Sequence, residues 1–291
     1  MTRISLEYSS RKGTISMPLD TASDTVKLGR KKISSIILDP LSDCNNLRRI
    51  WLNDNHLTSL DLSPLSHCAN LEILSISGNI LESIDLTPLK HCKKLEELYL
   101  QKNNLESIEL GPLKAAQDLR ILYLDRNRIK RMQLDPLGEC RALQEIRVWR
   151  NLMPSLDISV LFFLPEFRTL HIEEDKILTM DVLLKYVSEQ MTTNLFIKDA
   201  LEHRRIEWLD YTALSIRNGW AGVRSRLLDL ISRVPMQYGT ALIRGFFEST
   251  GINDVPAENI PLREVLLSIT DDIESSDALT LIRQKLEKLD A

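Results

Sequence analysis

The stretch Leu71–Lys94, LEILSISGNILESIDLTPLKHCKK, decides the fold, because the segments on both sides of it are copies of it. Leu47, Leu71, Leu95, Leu119 and Leu143 stand 24 positions apart, and Phe167 opens a degraded copy. Leu71, Leu74 and Ile76 alternate with Ile73, Ser75 and Ser77. That period of two predicts a short strand with one inward, apolar face. Asn79 follows, and Asn returns as Asn55, Asn103, Asn127 and Asn151. A side-chain amide there can pair with backbone groups of neighbouring coils that no sheet satisfies. Leu81, Ile84 and Leu86 form the returning apolar wall. Thr87-Pro88 predicts a short helix, with Thr87 as its N-cap and Pro88 at the first helical position. The same step is written Asp39-Pro40, Ser63-Pro64, Gly111-Pro112 and Asp135-Pro136.

One copy cannot bury its apolar face alone, so stable structure requires stacking of copies. Seven fit: 23–46, 47–70, 71–94, 95–118, 119–142, 143–166 and 167–190. LxxLxLxxNxL at this period resembles the leucine-rich-repeat family, and the LxPLxxC half is similar to cytosolic or archaeal members. The resemblance implies an α/β solenoid with a parallel concave sheet and short convex helices, and a protein-binding role. Residues 1–22 are expected to cap it. Ile4, Leu6 and Tyr8 alternate, Ser9 to Gly13 offers a turn, and Ile15 and Met17 resume, as in a hairpin or degenerate coil.

After residue 190 the register disappears. Residues 191–291 predict an α-helical C-terminal domain, with helices over 195–217, 223–234, 237–249, 261–270 and 277–289, and Trp208, Trp220, Phe246 and Phe247 as core. Residues 204–244 hold seven Arg against three acids, while 254–277 hold seven acids against Arg263 alone. That pattern fits basic and acidic helical surfaces.

The formal net charge is −4, with 25 basic and 26 acidic residues in 1–190 and 12 and 15 in 191–291. Neither part is a basic domain, so no nucleic-acid or membrane partner is expected. No apolar run approaches a membrane span and the first residues lack a secretory h-region. Cys44, Cys68, Cys92 and Cys140 share one repeat position, filled by Ala116 and Leu164 in other copies. Small apolar substitutes mark a buried packing site rather than a disulfide framework, which suits a reducing, cytoplasmic compartment. His67-Cys68 and His91-Cys92 suggest metal ligands, but adjacent positions in a helical turn point about 100° apart. No metal and no cofactor is expected.

Strand residues facing away from the core carry the functional signal. The central column reads Lys27, Trp51, Ser75, Tyr99, Tyr123, Arg147, His171. Flanking columns read Thr25, Arg49, Ile73, Glu97, Ile121, Glu145, Thr169 and Gly29, Asn53, Ser77, Gln101, Asp125, Trp149, Glu173. Trp, Tyr and Arg dominate protein-binding hot spots because they offer large, stiff, amphipathic contact area. Lys27, Arg49, Trp51, Glu97, Tyr99, Tyr123, Asp125, Arg147, Trp149 and His171 are therefore the candidate protein-binding residues. Aromatic neighbours such as Tyr99 and Tyr123 would also stabilise the sheet simply by stacking. Basic turns (Arg30, Lys31, Lys32, Arg48, Arg49) and acidic ones (Glu173, Glu174, Asp175) would orient a partner.

Enzymatic signatures are missing. No HExxH, GxSxG or CxxC occurs, and Gly29-Arg30-Lys31-Lys32 lacks phosphate-loop spacing. Leucine-rich-repeat ubiquitin ligases use a catalytic Cys in a C-terminal helical domain, whereas this chain has none after Cys140. His203, Arg204, Arg205 and Glu207 read as a mixed-charge helix surface. The expected function is a non-enzymatic adaptor or scaffold. Alternatives are a regulator of a small GTPase or phosphatase acting in trans through Arg147 or Arg49, and a homo-oligomer assembled through the helical domain.

Overall fold

The fold is described by a computed structural model covering residues 3–181, 184–185, 195–203, 206–209, 220–233, 239–249, 267, 270 and 279–284. It contains two compact units, Met1–Leu178 with Asn194–Arg205, and Thr179–Thr193 with Ile206–Ala291.

The first unit opens with strands β1 (Arg3–Ser10) and β2 (Gly13–Asp20), an antiparallel hairpin paired from Arg3–Asp20 to Ser10–Gly13. Gly13 turns it at φ 99°, a conformation open to glycine. After β3 (Thr25–Lys27), β4 (Ile33–Ile36) adds to the free side of β1, and Leu6 is fully buried.

One short strand per 24 residues then follows: β5 (Arg49–Trp51), β6 (Ile73–Ser75), β7 (Glu97–Tyr99), β8 (Ile121–Tyr123) and β9 (Glu145–Arg147). After β10 (Ser155–Asp157) comes β11 (Thr169–His171). With β3, these strands form a seven-stranded parallel sheet in the order β11-β9-β8-β7-β6-β5-β3. Every pairing joins residues 24 apart, so Val26, Ile50, Leu74, Leu98, Leu122, Ile146 and Leu170 form one inward column. The six from Val26 to Ile146 are fully shielded from solvent. Each buried aliphatic side chain contributes about 1.5–3 kcal/mol relative to exposure.

The back of each coil is a single 3-10 turn: Asp39–Asp43, Ser63–His67, Thr87–His91, Gly111–Ala115, Asp135–Glu139 and Ser159–Phe163. The expected capping scheme needs correction. Thr87 is the first residue of its turn and Pro88 the second, the N-cap position is Leu86, and Asp85 Oδ1 accepts the Thr87 N–H at 2.8 Å. Asp61 does the same for Ser63 at 2.8 Å and Asp157 for Ser159 at 2.9 Å. The free donor is the first N–H of each turn, and an Asp two residues before it reaches that N–H whether Pro (Pro64, Pro88) or Val160 follows.

The Asn ladder is continuous. Asn103 Oδ1 accepts the Leu81 N–H at 3.1 Å, and its Nδ2 donates to Ile76 O and Leu100 O, both at 3.1 Å. Asn55, Asn79, Asn127 and Asn151 repeat that arrangement, each at most 7% exposed. Beside it runs a ladder of thiols: Cys68, Cys92 and Cys140 donate to Leu41 O, Leu65 O and Leu113 O at 3.3–3.5 Å. Burial pushes the Cys68 thiol up to about 11 and the Cys92 and Cys140 thiols up to about 12. His67 and His91 face solvent while their neighbouring thiols point inward, so the two side chains do not converge.

The last repeat departs from the others. After β11 the chain runs into β12 (Ile177–Asp181), 24 residues on from the stretch that carries β10, a place where the coils that open with β5 to β8 form no strand. Helix α1 (Leu195–His203) belongs to the first unit; its Ile197 and Ala200 are buried, and Phe196 meets Phe167 edge-on at 5.5 Å.

In the second unit the expected helix 195–217 is interrupted. Residues Ile206–Leu209 form strand β13, so Glu207 and Trp208 are on a strand, both half-buried. The alternating Ile206, Trp208 pattern outcompeted the helical reading there. Helices α2 (Trp220–Arg233) and α3 (Gly239–Ser249) bury Leu227, Leu230, Leu242, Ile243 and Phe246. Residues 279–284 are helical with Ile282 buried. Side chains of Trp220 and Phe247, most of the expected helix 261–270, and Arg204 and Arg205 lie outside the described residues. Among the described residues, no helix is long and apolar enough to cross a membrane.

Candidate functional site

The outer face of the sheet brings the expected central column together in register: Lys27 beside Trp51, then Ser75, Tyr99, Tyr123, Arg147 and His171. Arg49 and Glu97 stand in the adjoining column. Asp125 and Trp149 follow two residues after Tyr123 and Arg147.

The aromatic side chains lie against one another. Trp51 and Tyr99 come from strands two apart, about 10 Å at the usual spacing, yet their ring centroids are 6.5 Å apart and nearly parallel at 23°. They lean together over Ser75, which is only 3% exposed. Had the intervening coil carried a large residue, the stack could not form. Tyr123 meets Tyr99 edge-on at 5.2 Å, and the Arg147 guanidinium lies 4.1 Å from the Tyr123 ring centroid. The rings are therefore half-buried, more sheltered than the sequence suggests.

Polar groups fix this arrangement. Tyr99 Oη donates to Glu97 Oε2 at 2.7 Å. Glu145 receives Arg147 Nε at 2.6 Å and sits 3.1 Å from His171 Nε2. Burial works against the Glu145 carboxylate, but Arg147 outweighs it and holds the group below its ordinary range. Burial and then Glu97 raise the Tyr99 phenol, and burial and then Glu145 raise Tyr123. Both phenols are thus neutral hydrogen-bonding groups rather than nucleophiles. Asp125 is 6% exposed, and burial raises its carboxyl against the pull of Arg147, Arg126 and Lys102.

Trp149 reveals partners that the strand columns did not single out. Arg126 and Arg150 each place Cζ 4.7 Å from its ring centroid. Both occupy the residue before the ladder Asn, a position with positive φ in every coil from Arg30 to Arg150: 58° at Arg30, 57° at Asp54, 64° at Gly78, 57° at Lys102, and 55° at Arg126 and Arg150. The signal was in the sequence, since Gly78 occupies that position in one coil and basic residues fill it in several others.

Toward the N-terminal coils, the basic turn residues are largely paired. Arg48 reaches Glu72 at 2.9 Å, Arg49 reaches Glu72 at 3.7 Å and Asp24 at 3.9 Å, and Arg30 reaches Asp54 at 3.1 Å. At the other end Glu173 Oε1 accepts the Arg150 backbone N–H.

Residues 45–105 and 69–129 match the family model described as leucine rich repeat. Among solved structures, internalin C2 from Listeria monocytogenes is 22% identical over 54% of this chain and 71% of that chain, with a TM-score of 0.42. The leucine-rich repeat domain of APL1B is 20% identical over 56% of this chain and 51% of that one, at 0.45. A second Listeria monocytogenes internalin is 23% identical over 58% and 52%, at 0.41. This chain spans about half the length of the latter two. No curated protein matches the chain. The family's pattern recurs along the sequence and each recurrence adds one strand and one turn to the same coil, so residues 45–129 are a run of leucine-rich repeats.

Proposed function

We propose that the outer face of the sheet is a protein-docking surface and that the chain works as a non-enzymatic adaptor or scaffold. Leucine-rich-repeat folds commonly mediate protein–protein interaction, and that is the frame for the proposal. The single observation that carries it is the Trp51–Tyr99–Tyr123–Arg147 row, half-buried and held in shape by Glu97 and Glu145. A preorganised aromatic row spends little conformational entropy on binding. Arg147 is already committed to Glu145 and Tyr123, which makes it a poor finger for another enzyme's active site. We read residues 1–22 as a cap, 23–190 as the repeats and 191–291 as the C-terminal domain, with its helix α1 grouped with the repeats and the chain from Ile206 onward in the second compact unit. Four buried free cysteines suit a reducing compartment.

The test uses wild type and the Trp51→Ala, Tyr99→Ala double variant as baits, with bound proteins quantified by mass spectrometry. Loss of about 2 kcal/mol or more in affinity for a retained partner is expected, with circular dichroism unchanged. Equal retention by a folded double variant would move the site elsewhere.

A further inference from the structure

We propose that Lys102, Arg126 and Arg150 form a rim that captures carboxylates of an acidic polypeptide segment laid across successive coils. The inference rests on the docking reading above and names the partner's chemistry.

The first support is backbone strain. Lys102, Arg126 and Arg150 hold φ between 55° and 57°, a region unfavourable for any residue with a Cβ. Gly78 shows that glycine can stand at the same repeat position. Three successive coils instead carry long cationic side chains there, which is strain retained where a side chain is useful.

The second support is the state of those cations. Among the described residues, Lys102 and Arg150 have no ion pair within 4.0 Å, and Arg126 reaches only Asp125 at 3.9 Å. Burial favours the neutral form of that Asp125 carboxyl. By contrast Arg48, Arg147 and Arg30 are paired at 2.6–3.1 Å. Arg126 and Arg150 lie against the Trp149 ring while both residues remain exposed, so their planar guanidinium groups are available for two-pronged recognition of a carboxylate.

Spacing is the third support. Adjacent strands set the cations at steps of about 5 Å, and an extended segment presents alternate side chains about 7 Å apart, within reach of flexible Lys and Arg. Apolar side chains of the same segment would meet Tyr99 and Tyr123. A nucleic acid fits less well: Glu97 and Glu145 share the face, the chain carries a net −4, and Trp149 is already covered by two guanidinium groups.

Fluorescence polarisation on the full chain tests this, using a fluorescein-labelled peptide alternating glutamate with tyrosine, its lysine counterpart, and labelled oligothymidylate. Saturable binding of the acidic peptide alone is expected. Arg126→Gly with Arg150→Gly should weaken it tenfold or more without lowering the melting temperature, because glycine relieves the strained positions. The proposal is overturned if the acidic peptide fails to bind, if the glycine variant binds it equally well, or if oligothymidylate binds more tightly. If the acidic peptide fails while Trp51→Ala with Tyr99→Ala still abolishes partner retention, the docking face stands and only its acidic ligand falls.

Discussion

The inward and outward sides of this solenoid follow opposite rules. Facing in, the same kind of residue recurs in coil after coil: Leu74, Leu98 and Leu122 in the sheet, Asn79, Asn103 and Asn127 at the turn, Cys68 and Cys92 at the back. Facing out, the central column changes from Lys27 to Trp51, Ser75, Tyr99 and Arg147 within the same register. The inward rule is imposed by stacking, since each coil must present its neighbour with the surface it itself received. No such constraint acts outside, so variation there carries information about partners.

Four changes would sharpen or break this contrast. The largest effect is expected for Leu98→Ala, which empties a fully buried site in the central coil and should cost about 2–5 kcal/mol in chemical denaturation. Partner binding per folded molecule should stay unchanged. Asn103→Ala leaves the Leu81 N–H and the Ile76 and Leu100 carbonyls short of a partner and should cost about 2–4 kcal/mol by the same measurement. A loss as small as that of a surface substitution would mean that water replaces the amide and that the ladder is dispensable. Trp51→Ala, on the outer face, removes one ring of a stack and should cost about 1 kcal/mol of stability while weakening partner binding more. A stability loss as large as that at Leu98 would turn the outer face into a second core.

The smallest effect concerns pH. Asp125 has a raised carboxyl, so its contribution is most favourable at low pH, where folded and unfolded chains are both protonated, and is lost as pH rises through the folded value. Asp125→Asn should therefore gain stability relative to wild type at pH 7 and lose that advantage near pH 3. Melting curves at the two pH values check the sign.

The same contrast explains what was legible in the sequence. Leucine spacing predicts the strands, their register and the inward column, because periodicity and burial are one constraint read twice. The Asn positions predict the ladder, and the shared Cys position predicts a packed thiol. On the outer face the columns place Trp51, Tyr99, Tyr123 and Arg147 correctly, since register follows from the repeat. What they do not convey is the lean of Trp51 and Tyr99 across Ser75, which depends on side-chain rotamers rather than spacing. Nor do they associate Arg126 and Arg150 with Trp149, because that contact arises from a positive φ outside the strand. Beyond residue 190, where no repeat disciplines the chain, local patterns misassign 206–209 as helix.

The Asn ladder also has a direction. Each amide reaches backward: Asn103 accepts the N–H of Leu81, 22 residues earlier, and Asn127 does so for Leu105. A coil emerging from the ribosome therefore holds an unmet donor until the following one arrives, so completion trails synthesis by one turn of the spiral.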